Sequence, residues 1–193
     1  MHAIEPFYNW RNLYVASEDY RSPFFEREYS EFEFTNKVYN FLLHPQWDDF
    51  GSETLFIKII YSDYEKGFAI IELIGEWNDC IENDIMKLKL DVLEILMQEG
   101  IDKFIMIGEN ILNYHSAEED YYEELQDELE EGWMVFLNFH PHVLEEFSDA
   151  NIDSYIIYGE DFDFIEWRTF KPEQLYNKIN AKVENRFNLP LLD

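Results

Sequence analysis

The sequence predicts an α/β fold: a mixed, mostly parallel sheet of about five strands with helices, preceded by an aromatic-rich N-terminal arm. Three observations predict it. From Leu55 onward, strand-length apolar runs and helical stripes follow one another in the order β-β-α-β-α-β-α-β-α. Strands alternating with helices imply parallel neighbours joined by right-handed crossovers. The first two runs are separated only by the short polar turn Asp63 to Gly67, so they form a hairpin and make one pairing antiparallel. The first 50 residues lack this regularity and hold 14 aromatic residues.

Each element has its own local reason. Leu55 to Tyr61 and Phe68 to Ile74 read as the hairpin strands. Asp79, with Glu82 three residues later, has capping-box spacing and is expected to open a helix. Ile81, Ile85, Leu88, Val92 and Leu96 then repeat every three or four residues on one face. Gly100 is expected to end that helix at the C′ position. Lys103 to Ile107 is the third strand, closed by Gly108. Ser116 and Glu119 form a second capping box, and Tyr122, Leu125 and Leu129 make the stripe of the helix behind it, which Gly132 stops. Trp133 to Phe139 is the fourth strand. Pro141 suits the first turn of a short helix that turns Val143, Leu144 and Phe147 inward. Tyr155 to Tyr158 is the fifth strand. Leu175, Ile179 and Val183 mark a last helix from about Pro172 to Asn185. The expected core is Leu88, Val92, Ile105, Ile107, Val135, Leu137 and Ile156.

The organisation read from this is an arm over 1–50 and an α/β domain with a C-terminal helix over 51–193. Within the arm, Tyr29 to Phe34 alternates aromatic and polar residues, the period of a half-buried strand. Ser22-Pro23 and His44-Pro45 are turn signals. So many aromatics are expected to pack on the main domain, or else on a partner or a second copy as a homodimer.

Composition bounds the function. The chain has 193 residues, 42 Asp and Glu against 14 Lys and Arg, and a formal net charge of −28. That excess opposes direct binding to nucleic acid or anionic membrane. The 47% hydrophobic and 18% aromatic content is far above that of a disordered acidic chain. A single cysteine, Cys80, leaves no intrachain disulfide and no multi-cysteine zinc site. Met1 to Tyr8 has no basic start leading into an apolar run, and no run of 18 apolar residues occurs. A cytoplasmic protein is expected.

Three short motifs carry a resemblance. Ala69-Ile70-Ile71-Glu72-Leu73-Ile74-Gly75-Glu76 is a strand ending in Gly-Glu before a helix. Lys103-Phe104-Ile105-Met106-Ile107 is a strand before a loop. Gly132 to Val143 joins a strand, an Asn, a Pro and a short helix, and Asn151-Ile152-Asp153 makes a later turn. From Leu55 to Gly159 the chain resembles a STAS domain, the fold of anti-sigma-factor antagonists and of sulfate-transporter tails. The resemblance implies a regulatory, protein-binding module. Antagonist members carry Asp-Ser-Ser-Gly at the start of the second helix, with one serine phosphorylated by a partner kinase. Here that stretch is Asn113-Tyr114-His115-Ser116-Ala117-Glu118-Glu119, lacking the Asp and the Gly, and Ser116 alone stands in for the phosphoacceptor.

The residues themselves favour a helix cap for Ser116. Residues 118–131 contain nine carboxylates and no base, which repel a phosphate placed there. No nucleophile elbow surrounds His115 and Ser116, and no dinucleotide fingerprint, P-loop or calcium loop is present. His140-Pro141-His142 reads as loop histidines rather than a metal pair. No catalytic residue, cofactor or metal ligand is assigned.

Two expectations follow. The first is a non-enzymatic module that meets a basic protein partner through Ser116, Glu118, Glu119, Asp120, Glu123, Glu124 and Asp127. The alternative is a small-molecule-binding protein or hydrolase with its site at the strand ends near Trp77, Asn110, His115 and His140, the edge that ligands favour in open α/β sheets.

Overall fold

The computed structural model describes residues 4–117 and 120–188. Four strands form the main sheet in the order β3-β4-β5-β6. They are β3 (Leu55–Asp63), β4 (Phe68–Asn78), β5 (Lys103–His115) and β6 (Trp133–Leu137). A small hairpin in the arm supplies β1 (Lys37–Val38) and β2 (Phe41–Leu42). β3 pairs antiparallel with β4; β4 with β5 and β5 with β6 are parallel. The expected fold class stands. The Tyr155 to Tyr158 segment differs from expectation: it adds only a single parallel bridge, Val135 with Ile157.

The strands are apolar on both sides because both faces are covered. One face carries Ile57, Ile71, Leu73, Met106 and Phe136 against the crossover helices. Those helices are α1 (Asp84–Leu88), a π-helical turn (Lys89–Leu93) and α2 (Glu94–Gln98), then α3 (Asp120–Leu129) and α4 (Pro141–Asp149). The other face carries Ile70, Ile105, Ile107, Val135 and Leu137 against Trp167 and α5 (Pro172–Asn188), whose Leu175, Ile179 and Val183 point inward. All seven expected core residues are buried.

The arm reaches both faces. Trp10 joins the α5 side, Phe24 and Phe50 join the opposite side, and Trp47 packs with Val38, Phe56 and Ile74. The strand expected at Tyr29 to Phe34 does not form. Ser30 Oγ accepts the N–H groups of Phe32 and Glu33, a local turn that competes with extended pairing.

Three helix and strand ends show which local signals survive. Gly100, at φ 93°, takes the C′ position: its N–H meets Met97 O, and Ile101 N–H meets Leu96 O. Pro141 opens α4 as expected. Gly108 does not close its strand. It lies inside β5, and a Cβ there would stand 2.3 Å from the Phe139 ring, so glycine admits the ring.

Candidate functional site

α3 is amphipathic. Tyr122, Leu125 and Leu129 are buried, which turns Asp120, Glu123, Glu124, Asp127 and Glu128 to solvent. Among the described residues, Lys89 is the cation that serves this face. The Lys89 ammonium reaches Glu94 at 2.7 Å, Glu128 at 2.8 Å and Glu124 at 3.6 Å. Burial works against its charge, but the hydrogen bonds of Glu128 and Glu94 outweigh burial and hold its pKa above the ordinary lysine value. Among the described residues, Asp120, Glu123 and Asp127 have no cation within 4.0 Å. Ser116 is exposed, beyond the end of β5. Its expected box partner Glu119, and Glu118 beside it, lie outside the described residues.

The first helix does not open as expected. Asp79 and Glu82 precede it, and the helix begins at Asp84 behind Asn83, which has φ 53° and no side-chain cap. Ile81 is exposed rather than on the inward stripe. The Asp79 carboxylate has turned into the core. It accepts Trp77 Nε1–H at 2.9 Å, Tyr122 O–H at 2.7 Å and Ile85 N–H at 2.8 Å. It therefore caps the first helix from inside and ties it to α3. Asp84 accepts Asn78 N–H at 2.7 Å, and burial pushes its pKa up to about 6.

The four residues expected at a ligand edge are not brought together. Trp77 is fully buried among Phe136 and Phe147, so it presents no surface to a ligand; a ring this large fills the core under α4. Asn110 lies half-buried on β5 opposite Ile74. His115, at the exposed end of β5, bonds Glu76. His140 occupies the N-cap position of α4 without a side-chain cap bond, and its ring stacks on His142 with centroids 5.7 Å apart.

Only His140 of the four borders the large cleft beyond the strand ends. This cleft has a volume of about 740 Å³ and is lined by Glu109, Asn138, His140, Phe164, Trp167 and Arg168, with their neighbours. Asn138 adopts φ 56° and clamps the segment crossing the cleft: it donates to Ile165 O and accepts Ile165 N–H, both at 2.8 Å. Glu109 Oε1 accepts Asn138 Nδ2 and Trp167 Nε1, each at 2.9 Å, and Arg168 bonds Oε2. Arg168 also lies 3.5 Å from Glu72. Glu72 is buried in β4 and accepts Phe7 N–H from the arm at 2.9 Å. Burial pushes its pKa up to about 7, although the Phe7 amide and Arg168 oppose this. Phe164 stands almost fully exposed at the mouth with φ 57°, a left-handed backbone that is costly for a bulky residue.

Sequence reasoning missed Glu109, Asn138 and Arg168 as a group. Asn138 was visible as the Asn between a strand and a Pro. Nothing local connects it with Arg168, thirty residues downstream.

No protein-family model matches the chain, and no curated protein does. Solved structures do show a likeness. The anti-sigma factor antagonist SpoIIAA in its unphosphorylated form is similar with a TM-score of 0.44 and 12% identity, over 65% of this chain and 96% of that one. The Bacillus cell fate determinant SpoIIAA in its phosphorylated form has a TM-score of 0.37 and 11% identity, over 64% and 98%.

Proposed function

We propose that the chain is a non-enzymatic, STAS-like regulatory module of the cytoplasm that docks a basic protein partner on the exposed face of α3. The observation that supports this is the separation of roles along ten residues. Tyr122, Leu125 and Leu129 anchor the helix, while Asp120, Glu123 and Asp127 face water with no cation of their own among the described residues. Unpaired carboxylates on a rigid face steer a cationic partner and raise its association rate. Ser116, Glu118 and Glu119 extend this surface in the proposal.

The test is capture from lysate by wild type and by a triple Glu123→Gln, Glu124→Gln, Asp127→Asn variant. The wild type retains a partner at low salt and releases it near 0.5 M. The variant fails to retain it while melting normally. Equal retention by both proteins removes α3 from the interface.

A second reading rests on the cleft beyond the strand ends, which has the size of a small-molecule site. It favours binding over hydrolysis, because the Glu109 carboxylate is held by Trp167, Asn138 and Arg168. A thermal-shift screen in which ligands act on wild type but not on a Phe164→Ala variant supports it.

A further inference from the structure

A second cavity, of about 300 Å³, lies where the arm crosses β3. Its walls include Phe7, Tyr8 and Tyr14 from the arm, Tyr29, and Lys58 from β3, with Arg11 at the rim. Two cations therefore meet in one enclosure of a protein with net charge −28.

Their partners leave them in excess. Arg11 lies 3.9 Å over the Tyr8 ring and donates to Gln46 at 2.6 Å; among the described residues no carboxylate lies within 4.0 Å of it. Lys58 has one carboxylate, Asp48, at 3.0 Å, and stands 4.0 Å over the Tyr29 ring. That same Asp48 is fully buried and shared with Arg27 at 3.5 Å and with the Tyr29 hydroxyl. Glu72, the cross-strand neighbour of Lys58, is engaged by Phe7 N–H and Arg168 instead. The carboxylate in the wall itself is Glu18, which is exposed. The lining thus holds two cations, Arg11 and Lys58, and one carboxylate, Glu18, while Asp48 lies behind Lys58 and is divided between it and Arg27.

We propose that this cavity binds a small organic oxyanion, a carboxylate or phosphate on a compact aromatic body, through Arg11 and Lys58. The guanidinium offers a planar fork that suits either head group. The ammonium supplies a second charge from the floor, and the tyrosine rings supply flat walls for the body. Burial, together with the like charges of Arg11 and Arg27, destabilises the Lys58 ammonium against the support of Asp48. An incoming anion offsets that cost. The site belongs to the arm and is separate from both α3 and the cleft.

Calorimetric titration at constant ionic strength tests this with three probes: phenyl phosphate, benzoate and inorganic phosphate. Wild type binds phenyl phosphate or benzoate saturably, and whichever is tighter identifies the head group. Inorganic phosphate binds more weakly because it lacks the body. Arg11→Gln weakens the tighter probe at least about tenfold, the worth of one charge-assisted contact. Arg11→Lys, which keeps the charge and loses the fork, falls between. Arg186→Gln, on the distant α5, binds as wild type does. Melting temperatures confirm that the Arg11 variants fold. No saturable binding of either aromatic probe by wild type, or undiminished binding by Arg11→Gln, overturns the assignment.

Discussion

Glu72 occupies the middle of a strand whose neighbours Ile70, Ile71 and Leu73 are all buried. Its folded pKa is raised from 4.5 to about 7 by burial. A raised carboxylate pKa means that the folded state binds the proton more tightly. Its contribution to stability is therefore complete below about pH 4.5 and is lost as pH rises through about 7. A shift of that size corresponds to about 3 kcal/mol. Glu72→Gln keeps an acceptor for Phe7 N–H and removes the titration. Its unfolding free energy should match wild type near pH 5 and exceed it at pH 8, as urea denaturation at both pH values will show. Burial raises the pKa of Asp79 too, but three buried donors depend on its carboxylate. Asp79→Ala orphans all three and should cost about 3 kcal/mol or more. A urea midpoint within error of wild type would contradict this.

At the scale of elements, β6 is the strand to probe. Val135 pairs with Ile105 and faces α5, and it sits opposite Ile157 in a parallel bridge whose bonds come from its neighbours: Phe136 N–H donates to Ile157 O, and Ile157 N–H donates to Met134 O. Val135→Asp buries a charge with no partner and should unfold the domain or lower its stability by several kcal/mol, about 4 or more; loss of the cooperative thermal transition is the readout. The arm behaves as an element of the core through Trp10, Phe24, Trp47 and Phe50. Deleting residues 1–50 should expose the apolar surfaces those rings cover and cause aggregation, measured by light scattering. Most elements were legible from local signals, because the apolar stripe at Leu88, Val92 and Leu96 and the glycine at position 100 act over one or two helical turns. The exceptions each involve a partner elsewhere. β5 continues to His115 because β4 extends beside it to Asn78. Tyr29 to Phe34 has the alternation of a strand and lacks a strand to pair with.

For the whole molecule, charge sets the response to solvent. A net charge of −28 repels itself most strongly in the compact state. Acidification removes charge from the surface and also protonates the buried carboxylates of Glu72 and Asp84, whose pKa values burial has raised to about 7 and about 6. Both effects have one sign, so stability should rise as pH falls from 8 to about 5. Added salt should raise the melting temperature at pH 8 more than at pH 5, because screening matters most where charge is greatest. Melting curves across this grid check both statements, and stability that climbs with pH would refute them.

Local patterns along the chain already dictate which faces are apolar, and with them the sheet, the helices and the acidic exterior of α3. Periodicity is local, and burial follows it. Tertiary structure decided where the polar groups go. Asp79 looked like a helix cap and became an inward acceptor because Tyr122, 43 residues away, arrives beside it. Glu109 met Trp167 across 58 residues, and Lys58 met Asp48 only after the arm had folded back along β3. A buried polar group must find a partner, and no pattern of neighbours in the chain names a partner that the fold itself delivers.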